Sequence, residues 1–222
     1  MLLRRGVAEG LGTFFLVAIV VGSGIAAQRL SPGNVGLELL ENSTATGAGL
    51  AALIIVFGPI SGAHFNPVVT LLSLVDRSLT WVDGAVHVGA QLVGAVAGAV
   101  AANLMFQLPA ATLSTHTRSA GALWFAEVVA TFGLLLVVIS LPYAASKAYA
   151  PFAVGGYIAA AYWFTSSTSF ANPAVTVGRM FTDTFAGIRP SSAPGFVVAQ
   201  LVGGVLAIVV GRYLFAREPV TT

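Results

Sequence analysis

The sequence predicts an all-α membrane protein, with six transmembrane helices and two half-helices set in an inverted repeat. Composition, the spacing of apolar runs and an internal duplication predict it. Of 222 residues, 57% are hydrophobic and 8% are charged, where an average soluble domain carries roughly a quarter charged residues. Ten basic and eight acidic side chains cannot cover the surface of a soluble globule of this length. The lipid bilayer is therefore the expected environment, and residues 1–222 read as one membrane domain. A net charge of +2 without a basic tract argues against a nucleic-acid partner. Zero cysteines exclude disulfides, thiolate metal sites and cysteine nucleophiles.

Apolar runs of about 18 or more residues read as membrane helices, because ~20 residues at ~1.5 Å each span a ~30 Å hydrocarbon core. Such runs predict helices at about 7–27, 44–60, 83–107, 122–142, 151–167 and 195–216. The first run follows Arg4 and Arg5, as a signal peptide would, but Glu9 inside it and its length favour a span. Arg4, Arg5, Arg77, Lys147, Arg212 and Arg217 fall on the side holding both termini, and Arg29, Arg118, Arg179 and Arg189 on the other. The positive-inside rule then predicts a multi-pass protein of the cell (plasma or inner) membrane with both termini cytoplasmic.

The chain repeats itself. Ala8-Glu9-x-x-x-Thr13-Phe14 recurs as Ala126-Glu127-x-x-x-Thr131-Phe132, Phe65-Asn66-Pro67-Val68-Val69-Thr70 as Ala171-Asn172-Pro173-Ala174-Val175-Thr176, and Gln91-Leu92-Val93-Gly94 as Gln200-Leu201-Val202-Gly203. The echoes keep their order, at offsets of 118, 106 and 109 residues, giving copies of about 1–110 and 118–222. Each copy holds three spans, an odd number, so the second enters the membrane upside down. Inverted repeats with interrupted helices are an architecture of membrane transport, with the site near the midplane.

Two apolar runs are too short to span. One follows Ser61-Gly62-Ala63-His64-Phe65-Asn66-Pro67 and ends near Leu74, and the other follows Thr168-Ser169-Phe170-Ala171-Asn172-Pro173 and ends near Phe181. Asn is a preferred helix cap and Pro suits the first helical position. Each segment thus reads as a loop feeding a half-helix of roughly ten residues, about 15 Å long and so half the membrane. Irregular backbone at that depth survives only when buried in protein or lining a wet cavity. The loops are expected to turn carbonyls toward a pore.

These residues resemble the aquaporin, or major intrinsic protein, family. Ser61-Gly62-x-His64-Phe65-Asn66-Pro67-x-Val69-Thr70 is close to its first signature loop, with Asn-Pro-Val where the family usually has Asn-Pro-Ala. Asn172-Pro173-Ala174 matches the second, and Glu9 and Glu127 stand where its first and fourth helices carry glutamates. The resemblance covers nearly the whole chain. It implies the aquaporin fold, a homotetramer with one pore per subunit, no cofactor, and a passive channel for small neutral solutes.

On that reading each half-helix points its positive N-terminus at the membrane centre. The cap oxygens of Asn66 and Asn172 satisfy their own helices and leave side-chain NH2 groups to donate to a passing solute. Oriented water breaks a proton-conducting chain, and cations meet a positive field. Gly62, Ala63, His64, Phe65, Thr168, Phe170 and Ala171 are the expected pore-lining loop residues. Glu9 and Glu127 are read as structural carboxylates bracing the loops. His64 has no second ligand at metal spacing, so no metal is expected, and His87 and His116 are assigned no role. Glycines such as Gly94-x-x-x-Gly98 and Gly203-Gly204 read as close helix packing.

The family's selectivity filter lies 20 and 12 residues before the respective Asn residues, three before the second Asn and three after it. Carried over without gaps, these positions are Thr46, Ala160, Ser169 and Val175. All four side chains are small, and the usual arginine is replaced by Val175. A wide filter is expected, similar to aquaporin-like channels linked with bacterial arsenic resistance, and admitting arsenite-type neutral hydroxides and glycerol-sized polyols besides water. Arg179, four residues beyond Val175 on the same helical face, is a possible filter charge. A water-selective aquaporin is the main alternative. An ion-coupled secondary transporter is a second, and saturable, proton-dependent flux would mark it. No acid–base or nucleophile constellation suggests an enzyme.

Overall fold

The computed structural model describes residues 1–143 and 147–215. Arg217 and the last residue of the expected sixth span lie outside them. Eight α-helices order the described chain: α1 Leu2–Leu30, α2 Val35–Ser61, α3 Pro67–Val75, α4 Trp81–Met105, α5 Gly121–Ser140, α6 Ala150–Phe164, α7 Pro173–Gly178 and α8 Ala193–Leu214. Five of them are long and apolar enough to cross a membrane. The sixth span, α6, has 15 helical residues, or ~22 Å at ~1.5 Å per residue, and a 3₁₀ turn at Lys147–Tyr149 leads into it. The short α3 and α7 are the two half-helices.

Helix α2 begins nine residues before the expected 44. Asn34 caps it, its side-chain oxygen accepting from Leu37 N at 3.1 Å. The polar stretch Glu38–Ser43 reads as loop in sequence, yet Glu38, Asn42 and Ser43 are buried in the bundle. Asn42 donates to the Val20 carbonyl at 2.9 Å and to Ser23 Oγ at 2.8 Å, tying α2 to α1. Internal partners replace solvent, so the helix extends.

The repeat is written in the packing. Helix α1 lies against α4, and α5 lies against α8. A Cβ on Gly94 would overlap the Gly10 carbonyl oxygen, and one on Gly203 would overlap that of Val128. Two helices can approach to backbone contact only where one of them lacks a side chain. These crossings hold each carboxylate-bearing helix, α1 or α5, beside the loop that precedes a half-helix.

On the face away from the termini, the α4–α5 connection is clipped to the segment following α7. Thr115 donates to Asp183 Oδ1 from its backbone N at 2.8 Å and from its hydroxyl at 3.0 Å. These bonds, the backbone one first, hold the Asp183 carboxyl below its ordinary range.

Candidate functional site: a pore between two re-entrant loops

The loops before Asn66 and Asn172 adopt the same unusual backbone. Gly62, Ala63 and Phe65 have φ of 91°, 52° and 50°, and their mates 106 residues on, Thr168, Ser169 and Ala171, have 61°, 48° and 47°. Only the first is glycine. Left-handed backbone costs a residue with a Cβ roughly 1–2 kcal/mol, so five such residues need compensation. Two buried carboxylates supply it. Glu9 accepts from His64 N (2.9 Å), Phe65 N (2.7 Å), Ser61 Oγ (2.6 Å) and Gln91 Nε2 (2.7 Å). Glu127 accepts from Phe170 N (2.9 Å), Ala171 N (2.8 Å) and Gln200 Nε2 (2.6 Å). Each glutamine also reaches the threonine of its own half-helix, Gln91 to Thr70 Oγ1 and Gln200 to Thr176 Oγ1, both at 3.0 Å. Hydrogen bonds to a charged acceptor contribute about 1.5–3 kcal/mol each, enough to offset the strain.

Both half-helices start on their asparagines. Asn66 Oδ1 accepts from Val68 N at 2.9 Å, and Asn172 Oδ1 accepts from Ala174 N and Val175 N at 2.9 and 3.2 Å. Pro67 and Pro173 occupy the first turn, where no backbone donor is lost. The amide nitrogens are not wholly free. Asn66 Nδ2 donates to the Ala171 carbonyl at 2.8 Å, and Asn172 Nδ2 to the Phe65 carbonyl at 2.7 Å. Each loop thereby ties down its counterpart, and each NH2 keeps one hydrogen beyond that bond.

A cavity of about 230 Å³ runs beside these asparagines. Stripes of residues four apart form its wall: Thr46, Leu50 and Ile54 on α2, and Ala150, Val154, Ile158 and Tyr162 on α6. All the expected loop residues line it except Thr168, whose positive φ shapes the loop from behind. On one side His64 faces Ser73. Thr70 gives its hydroxyl proton to the Asn66 carbonyl, His64 Nδ1 lies 3.1 Å from Thr70 Oγ1, and Nε2 lies 3.3 Å from Ser73 Oγ. His87, given no role from sequence, donates from Nδ1 to Asp83 O at 2.7 Å and sets Nε2 3.4 Å from the Ser61 carbonyl. Among the described residues, no group of three or more His, Asp or Glu is placed to hold a metal ion.

The family model of the major intrinsic proteins matches residues 1–169. This chain belongs to that family. It is a multi-pass membrane channel, not an enzyme. It is 50% identical over 213 residues to Aquaglyceroporin AqpS of Rhizobium meliloti (strain 1021), covering 96% of this chain and 91% of that protein. It is 32% identical over 240 residues to Aquaporin AqpM of Methanothermobacter marburgensis, covering 96% and 98%. The aquaglyceroporin from Plasmodium falciparum, solved by X-ray methods, superposes with a TM-score of 0.73 over 96% of this chain and 95% of that one. At 22% identity, this likeness speaks to the fold alone.

In this major intrinsic protein the four counted filter positions do not all meet. Thr46, Ser169 and Val175 line the cavity, whereas Ala160 is exposed on the far side of α6. Ile158 and Tyr162, two residues to either side, face inward. Two residues turn a helix by about 200°, so the gap-free count lands on the wrong face. The last wall residue stands twelve before Asn66 in the first copy, Ile54, and ten before Asn172 in the second, Tyr162. The second copy is two residues shorter there. Arg179 lines the cavity as well, 2% exposed, its Nε donating to the Ala186 carbonyl. Its guanidinium carbon lies 3.4 Å from the Phe170 ring centroid.

Proposed function

We propose that this chain is a passive pore for water and small uncharged hydroxylated solutes, in the size class of glycerol and of neutral trihydroxides such as arsenite. The observation that carries the reading is the cavity of about 230 Å³ lined by both asparagines and both re-entrant loops. That volume is many times the ~10–15 Å³ that one water needs by this measure, so it accommodates a file of waters or a small polyol. The second amide hydrogen of Asn66 and of Asn172 donates to a solute oxygen at mid-pore, and loop carbonyls accept from its hydroxyls. The two half-helix N-termini set a positive field that disfavours cations. Glu9 and Glu127 brace the loops instead of relaying protons, because hydrogen bonds from their own loops occupy them. Val175 in place of the usual arginine supports the inclusion of solutes larger than water, as does likeness to a relative named an aquaglyceroporin. Arg179 in the cavity wall favours a tighter, more water-selective pore, the second reading. Four copies assemble in the cell membrane, as the family likeness implies, with termini in the cytoplasm, as the balance of basic residues predicts.

Stopped-flow swelling of proteoliposomes tests this against water, glycerol, urea and neutral arsenite. Glycerol and arsenite flux above that of empty vesicles, linear in the gradient, is the expected result. Water flux alone would replace the reading with a strict water pore, and saturable proton-dependent flux with a transporter.

A further inference from the structure

A second cavity, of about 260 Å³, opens at the end of the pore nearer the termini. The start of α1, the end of α2 and the turn after α3 enclose it. It meets the pore at Gly62, His64 and Ser73, which line both spaces. Its wall carries Arg5, His64 and the hydroxyls of Ser61, Ser73 and Ser78, and no carboxylate. Ser61 is spent on Glu9. Ser78 Oγ donates to the Ser73 carbonyl at 3.1 Å from an exposed position, and that bond can be exchanged for one to a guest. Arg5 is the decisive group. Its side chain is 42% exposed, and its guanidinium makes no hydrogen bond among the described residues. Asp83, its ionic partner, stands 3.9 Å away and outside the cavity wall, with Oδ2 already accepting from Thr80 Oγ1 at 2.6 Å. So loose and exposed a pair contributes little, and it leaves a planar fork of N–H donors without acceptors. The last turn of α2 brings the negative end of its dipole to the same space. That end works against an anion, so binding there rests on the fork and the hydroxyls acting together.

We propose that this cavity binds a free tetrahedral oxyanion of the phosphate or sulfate type on Arg5 and Ser78, and that the bound anion closes the pore at this end. The closure rests on the channel reading; the binding does not. A guanidinium fork matches two oxygens of such an anion, and charge-assisted bonds of this kind are the strong ones. Seated against His64 and Ser73, the anion stands across the exit of the solute file. It goes no further, because Leu50, Ile54, Val154 and Ile158 in the wall beyond cannot replace its hydration.

The test has two arms, both on the full chain. Titration calorimetry with inorganic phosphate in maltoside micelles, free of phospholipid, reads binding without flux. Wild type should bind, Arg5→Gln should not, and Arg4→Gln should match wild type, because Arg4 is exposed and outside the cavity wall. Asp83→Asn, which removes the competing charge, should bind more tightly. If Arg5→Gln does not assemble, Arg5→Lys replaces it; it keeps the charge, loses the fork and should bind more weakly. In the second arm, stopped-flow water permeability of phosphatidylcholine proteoliposomes is measured in phosphate and in chloride of equal ionic strength, on both sides. Wild-type flux should fall about twofold when phosphate reaches its dissociation constant, since half the mouths are then occupied. Flux through Arg5→Gln should be the same in both salts. No binding by wild type, or equal losses in Arg4→Gln and Arg5→Gln, overturns the site. Phosphate that binds in micelles yet leaves vesicle flux unchanged means that a lipid headgroup holds the site, and overturns the closure by a free anion. Wild-type vesicles with no water flux in chloride would overturn the channel reading instead, and the calorimetry would still decide the site.

Discussion

The loops before Asn66 and Asn172 have the same backbone and opposite surfaces. Positive φ recurs at matched positions, and a glutamate, a glutamine and a threonine recur behind each. Facing the cavity, one loop shows His64 hydrogen-bonded to Ser73, and the other shows Phe170 stacked under Arg179. After duplication, the residues that keep a strained loop folded are constrained by its strain. The residues that face the lumen are not, and they diverge. The half nearer the termini offers an imidazole and a hydroxyl, whereas the other half holds a guanidinium.

The brace should be the costliest element to disturb. Glu9→Gln turns one accepting oxygen into a donor against N–H groups and should cost roughly 3 kcal/mol or more. Glu127→Gln should cost less, because Glu127 has three donors where Glu9 has four. Thermal melts of detergent-purified protein measure both, and equal losses would mean that the Ser61 bond contributes nothing. Next come Asn66→Asp and Asn172→Asp. Aspartate still caps its half-helix, but it loses the bond across to the other loop and puts a negative charge at mid-membrane. Raised cation conductance in planar bilayers is expected from protein that assembles, and wild-type selectivity in both would count against central donors.

A smaller effect follows from making the outer loop resemble the inner one, with Phe170→His and Arg179→Ser together. This exchanges a cation–π contact of ~0.5–2 kcal/mol for a hydrogen bond of ~1 kcal/mol. Stability should change little while cation exclusion weakens. If ion flux stays at the wild-type level, the difference between the loops does not govern charge selection. Smallest of all is the response to mercurials. With no cysteine in the chain, brief treatment should leave water flux unchanged. Prompt inhibition reversed by thiols would reveal a different mode of block.

Polar residues in an apolar chain made much of the fold legible. The two Asn-Pro pairs announce half-helices, and the repeated Ala-Glu, Asn-Pro and Gln-Leu segments announce the inversion. Gln91, Gln200, Thr70 and Thr176 were visible as echoes, but the bonds from each glutamine to its glutamate and its threonine cross between helices, which spacing along one helix does not reveal. The early start of α2 was hidden because Glu38, Glu41 and Asn42 look like solvated loop until the bonds of Asn42 to α1 and of Ser31 to Glu41 are known. Ala160 misled for a different reason. Counting back from Asn172 by the family's spacing assumes that no residue is gained or lost between wall and cap, and a two-residue difference reverses the helix face. The i, i+4 stripe Ala150–Val154–Ile158–Tyr162 was the signal that would have found Tyr162.

The crossed bonds between the loops also bear on how the protein is made. Asn66 finds its acceptor, the Ala171 carbonyl, 105 residues later in the chain. At a synthesis rate of ~5–20 residues per second, the first half waits ~5–20 s for that partner. Through that interval it carries a buried donor without its mate, a kind of group that membranes tolerate poorly. The N-terminal half is therefore complete in sequence before it is complete in structure. Its half-helix reaches its final seat only when the second half arrives to close it.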